Sequence, residues 1–333
     1  MPKLNIAVSV LDLLPIREGS DTSAAIQRMV SLAQTVEKLG YTRYWIAEHH
    51  NTPTLISSAT SILVKHALEH TSSIRVGSGG VMLPNHSPLI VAEQFGTMAT
   101  MYPDRVDLGL GRAPGTDEAA AAAIRRSQGD SAHSFPDDVK SLLTYLGLAQ
   151  HQGAVKAYPG IETKVPLYIL GSSTDSAYLA AKLGLPYAFG AHFAPTRLGE
   201  AISVYRQHFQ PSVHLSEPYV MASANVVAAD SDDEALFLAS TMDRVFLNII
   251  RGGQQLMQPP IANVNTEPNA QEKEVLSSMS KVTFKGSKAT ITQQLTHFQS
   301  FYNVDELIVN SFIYEEDKLK RSFEILKEVV DGK

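Results

Sequence analysis

Short apolar runs alternate with longer segments of helical periodicity along most of the chain. Residues 4–10, 44–47, 74–77, 106–111, 166–170, 187–190, 219–228 and 307–310 are brief, largely apolar and bounded by turn residues, which predicts eight strands. Between the first two, Ile26, Met29, Val30 and Ala33 recur at helical spacing, with Asp21, Thr22 and Ser23 as N-cap choices and Gly40 as the stop. Further helices are expected at 57–70, 88–101, 136–148, 173–183, 195–208 and 315–330. Another follows Ser231-Asp232-Asp233-Glu234, whose negative charge suits a helix N-terminus. Eight alternating strand–helix units, with no repeat period and no linker-like shift in composition, predict one α/β domain. The preferred form is a (β/α)8 barrel, and an open doubly wound sheet is the competitor. Segment 252–285 breaks the pattern with Gly-Gly-Gln-Gln, Gln258-Pro259-Pro260 and a polar stretch. It reads as a long insertion before the last strand, expected to be a mobile loop that acts as a lid over the strand C-termini.

Composition narrows the partners. With 44% hydrophobic and 19% charged residues, 333 residues can bury a large core, and a net charge of −6 argues against a nucleic-acid surface. The absence of cysteine excludes disulfides, thiolate metal sites and a cysteine nucleophile. The N-terminal apolar run is cut at Asp12 and has no small-residue cleavage pattern, so it reads as a first strand and not a signal peptide. No window approaches the ~20 apolar residues of a membrane span. A cytoplasmic enzyme acting on a small molecule is the expectation.

Candidate chemistry gathers at strand C-terminal ends, where barrel active sites lie. Glu48-His49-His50 ends the second predicted strand, Gly79-Gly80 follows the third, Arg112 ends the fourth and Gly171-Ser172-Ser173 the fifth. In the fourth strand Asp107, Gly109 and Gly111 share a face that is almost free of side chains, against which a flat ligand could lie. Residues 171–176, with Ser172, Ser173 and Ser176, open a helix whose free amides and dipole attract a phosphate, and Arg112 would converge on it. Asp175 has the wrong sign there and must point away. No dinucleotide or Walker pattern occurs. The Glu-His-His triplet invites a metal, but adjacent histidines point to opposite faces and no third ligand is evident, so no metal is assigned. His192-Phe193 and, more weakly, Asn225 are candidates for shaping a substrate pocket, while Trp45 reads as core.

The ordered set Glu-His-His, V-G-x-G-G-V, L-G-x-G-R and Gly-Ser-Ser, over residues 4–193, resembles the bacterial luciferase-like family of flavin-dependent monooxygenases. The phosphate pocket beside a bare strand face suits a mononucleotide with a flat ring, and the resemblance implies FMN or its reduced form. It implies that His49 assists chemistry at the flavin, that Glu48 is a polar support near the ring, and that Asp117 matches an acidic position, for which a surface loop is the equal reading. It implies a strained bulge at Gly79-Gly80 under the ring, often a cis peptide in the family; two glycines ease the clash and leave room for the bulge with a trans peptide. It further implies oxygenation of a small organic substrate by O2, and a homodimer paired through helices 57–70 and 88–101. A separate flavin reductase remains an open partner. Two alternatives stay open: a flavin- or deazaflavin-dependent reductase on the same barrel, and a non-catalytic flavin-binding protein.

Overall fold

Among the described residues nine parallel strands form in chain order: β1 (Ala7–Asp12), β2 (Arg43–Ile46), β3 (Arg75–Met82), β4 (Val106–Gly111), β5 (Leu167–Gly171), β6 (Tyr187–Phe189), β7 (Val220–Ala228), β8 (Thr283–Gly286) and β9 (Glu306–Asn310). The computed structural model describes residues 4, 6–113, 115–124, 134–191, 194–262 and 268–333. Strands β1 to β6 pair in succession, β6 pairs β7, β7 pairs β9, and β9 returns to β1. The ring is therefore a closed eight-stranded barrel, the (β/α)8 form, and the open sheet is excluded. Among the described residues no helix is long and apolar enough to cross a membrane.

The ninth strand is a departure from the sequence reading. β8 pairs residues 225–228 of β7, along the edge that β6 leaves at Ala222. Within 252–285, expected as a loop, the chain instead forms the helix Ala270–Met279, closed by an Asn269–Glu272 capping box, and then β8. The helix Lys288–Tyr302 that follows was also not expected. Residues before 263 are tied down: Met257 is buried and exchanges backbone hydrogen bonds with Ile16 and Glu18, and Arg244 donates to the Pro259 carbonyl at 2.7 Å. None of the described residues of 252–285 lines the cavity at the strand C-termini described below; residues 263–267 lie outside the described set.

β3 runs on through the glycines that were expected to end it. Its register against β4 slips between Ser78 and Val81, the signature of a bulge, and the Gly79-Gly80 peptide is cis, not trans. β4, in contrast, spans the predicted residues and is buried throughout.

Side chains inside the ring stack in layers, as alternation along each strand requires. The lower layer is ionic. Arg43 donates to Glu306 (Nε to Oε1, 2.7 Å) and to Asp107 (2.8 Å), and Arg75 reaches the other oxygen of Asp107 (2.8 Å from Nε). Ser9 and Tyr219 donate to Glu306, and Trp45 Nε1 to Asp107 at 3.1 Å. Two guanidiniums thus face two carboxylates. Burial disfavours the Arg43 charge, but Asp107 and Glu306 outweigh it and hold the guanidinium more firmly protonated than usual. Above lies an apolar layer of Leu11, Trp45, Tyr168, Ala188, Met221 and Ile308.

Candidate active site

Above that apolar layer the barrel opens into a cavity of about 310 Å³ at the C-terminal ends of the strands. It brings together His49, Gly79, Arg112, Gly171, Ser172, Ser173 and Ser176, which come from the ends of β2, β3, β4 and β5. Leu11, Leu13, Met82, Ala188, Ser223 and Ile308 complete much of the wall and were not anticipated. Their signal was present in the alternation: Leu11, Trp45 and Ile308 each stand two residues beyond a member of the ionic layer.

One side of the cavity suits an anion. Arg112 is exposed and, among the described residues, has no hydrogen-bond or ion-pair partner. Ser173 is the N-cap of Thr174–Leu183, its hydroxyl accepting from the Ser176 amide at 3.4 Å. The amides of Thr174 and Asp175 have no partner there, as the first turn of a helix requires. Asp175 is exposed and absent from the cavity wall, so the expected objection to an anion does not arise. Ser176 also lines the cavity, and its hydroxyl already meets the Ser173 carbonyl (2.7 Å) and Tyr187 (3.1 Å).

The opposite side is backbone and apolar surface. At Gly79 a Cβ would come within 2.6 Å of Leu11 Cδ1 and 3.1 Å of Trp45 Cβ, so only glycine leaves this wall bare. The bare face of β4 is, however, not a seat for a ligand along its length. Asp107 is locked in the ionic layer, and a Cβ at Gly109 would lie 2.3 Å from the Ser78 carbonyl. Gly109 lets the β3 bulge approach; only Gly111 of that face reaches the cavity. Gly80 packs on the Gly109 carbonyl and Leu170 and is not in the wall.

His49 is half-buried, with Nδ1 3.4 Å from Ser57 Oγ. Burial holds its imidazole below the ordinary range, the Glu48 carboxylate opposing and His50 adding to the effect. The ring is neutral at pH 7 and keeps one nitrogen able to accept a proton. Glu48 is absent from the wall, and its carboxylate accepts from His50 Nε2 (2.9 Å), His86 Nε2 (2.8 Å) and the Met82 amide (3.1 Å). Asp117 is exposed and accepts from Asn51 at 2.7 Å, tying the loops after β2 and β4 together. Trp45 is core, as expected, and also forms part of the wall. Asn225 is buried against Asn310 (3.1 Å) and is not in the wall; His192 and Phe193 lie outside the described residues.

A parallel barrel with a bare backbone wall, a guanidinium without a partner among the described residues and a helix N-terminus around one cavity makes a site suited to a small anionic molecule. The chain belongs to the luciferase-like monooxygenase family, whose model matches residues 6–296. It is 52% identical to Bacillus subtilis YddN over 97% of this chain and 96% of that one. A luciferase-like monooxygenase of Escherichia coli K12 is 42% identical over 99% and 98% of the two chains. Among solved structures apo-MsnO8 superposes with a TM-score of 0.87 at 31% identity, covering 97% of this chain and 98% of that one. Two others, at 15% identity, share the fold alone. One is an F420-dependent secondary alcohol dehydrogenase (TM-score 0.72, 99% of both chains) and the other the FMN complex of the oxygenating constituent of 3,6-diketocamphane monooxygenase (TM-score 0.71, 98% of both).

Proposed function

We propose that this enzyme takes reduced FMN and dioxygen and oxygenates a small organic substrate in the cavity above β1–β7 and β9. The observation that carries the reading is that Arg112, unpaired among the described residues, and the helix N-terminus at Ser173 line the same cavity as the bare Gly79 wall. Arg112, Ser172 and Ser173 would hold the phosphate, and the Gly79 backbone with Leu11, Trp45 and Leu170 would flank the ring. When bound, reduced FMN supplies the electrons that activate dioxygen. The chain supplies the rest. Its apolar wall excludes water, and His49, the imidazole in that wall, hydrogen-bonds the reacting oxygen or substrate. Arg112 is the one charged side chain in the wall among the described residues, which leaves the inner part of the cavity to uncharged groups.

The experiment is an FMN titration followed by turnover under isotope-labelled O2, with product analysed by mass spectrometry. Label in the organic product supports oxygenation; unlabelled, reduced product selects the reductase reading. Tight flavin binding with no substrate-stimulated oxidation selects a binding protein. We also infer a homodimer, supported by the exposed Ile62, Ile90 and Met101 on the helices Thr60–Glu69 and Pro88–Met101. Gel filtration at micromolar concentration tests it.

A further inference from the structure

The Glu48 cluster is not used by the proposed chemistry, and its donor set has a use of its own. We propose that Glu48, His50 and His86 form a site for one divalent transition-metal ion of the zinc type, beside the cavity and separate from it. One ligand atom from each of the three residues lies within 4.8 Å of the other two. A carboxylate with two imidazoles is the donor set of borderline divalent ions, and three protein ligands leave a position open to water or a small ligand.

The site is assembled before any ion arrives. Glu48 and His50 follow β2, His86 follows the turn after β3, and the two segments already meet through Glu48 Oε1. Glu48 Oε2 accepts the Met82 amide at 3.1 Å, which fixes the carboxylate as an outer-shell hydrogen bond does in metal sites. Access is graded. The Glu48 side chain is 2% exposed, that of His50 17% and that of His86 33%, so an ion enters past His86. Metal–nitrogen bonds of about 2.0–2.1 Å in a tetrahedron put ligand atoms roughly 3.3 Å apart, so each imidazole withdraws by about half an ångström. Each Nε2 now faces Glu48 Oε1, and binding requires that nitrogen free of its proton, so that its lone pair meets the ion. His49 takes no part, since its ring lies in the cavity wall.

A second cluster, His66, Glu69 and His70, serves as the control. It lies on the surface, with Glu69 paired to Lys65 and His70 Nδ1 on the His66 carbonyl. The test is calorimetric titration of Zn²⁺ into untagged, chelator-treated full-length protein, repeated with Co²⁺ and read by visible absorption. One ion per chain is expected, with a dissociation constant near or below about 1 μM and cobalt bands typical of nitrogen and oxygen ligands. His86→Ala, partly exposed and able to fold, weakens binding about a hundredfold or more and abolishes the bands, and His50→Ala does the same. His66→Ala changes neither. Circular dichroism of each variant confirms folding. No saturable binding up to about 1 mM overturns the proposal and leaves the three side chains a hydrogen-bonded clamp between two loops. Binding that survives both His50→Ala and His86→Ala overturns it equally.

Discussion

The two ends of the barrel are built from the same strands and treat polar groups in opposite ways. At the lower end Arg43, Arg75, Asp107 and Glu306 are closed on one another and on Ser9, Tyr168 and Tyr219, so every charge has a fixed partner. At the upper end Arg112 and the first amides of Thr174–Leu183 have none among the described residues, and Gly79 presents backbone in place of a side chain. Satisfied groups resist change and unsatisfied ones wait for a ligand. The comparison assigns stability to one end and binding to the other.

Four substitutions press on that division. Asp107→Asn should have the largest effect, because it leaves the buried Arg43 and the half-buried Arg75 guanidiniums short of one negative charge; about 3–5 kcal/mol of unfolding free energy is expected to go, measured by urea denaturation. FMN affinity of the folded fraction should fall much less than stability does, because only the Trp45 Nε1 hydrogen bond links Asp107 to the cavity wall, and a loss matching the instability would break the comparison. His49→Ala should lower turnover by roughly 10²–10⁴-fold with the urea midpoint little changed. Unchanged turnover would remove His49 from the chemistry. Arg112→Ala should weaken FMN binding by roughly 10–150-fold, the worth of charged hydrogen bonds of about 1.5–3 kcal/mol, and leave stability untouched because the guanidinium has no partner among the described residues to lose.

The smallest effect belongs to Glu37, near the start of β3. Burial opposes its ionisation, but the amides of Ser73, Ile74 and Ser72 and the Ser73 hydroxyl outweigh it, so its carboxyl is held below the ordinary range. A lowered folded value means its contribution is present above the unfolded-state value and is lost as pH falls through the lowered one. Solvent screening limits it to a few tenths of a kcal/mol, so Glu37→Gln should only slightly flatten the acid limb of a stability–pH curve.

Much of the frame could be read before folding was considered. β4 came out at its own residues because valine, leucine and flanking turns act locally, and Ser173 and Gly40 marked helix ends through short-range capping. β8 escaped because four residues, Thr283–Gly286, with alternating burial carry too little pattern to separate from a loop. β3 was cut short because Gly79-Gly80 reads locally as a break, whereas β4 pairing on both sides of the bulge keeps it a strand. Glu48 was placed beside the ligand by its position in a motif; its true partner His86 lies 38 residues further on.

The order of residues alone was enough to set the eight strands that close the barrel, their succession and the inward period of two, because these depend on neighbours a few positions apart. What each inward residue became depended on closure of the ring. Asp107 met Arg43 from 64 residues away, and Arg43 met Glu306 from 263 residues away, while Gly109 met a carbonyl and Gly79 met open space beside Leu11 and Trp45. The same kind of position is an ion pair, a backbone contact or a cavity wall according to what the other strands bring opposite it. That assignment exists only when all eight stand together.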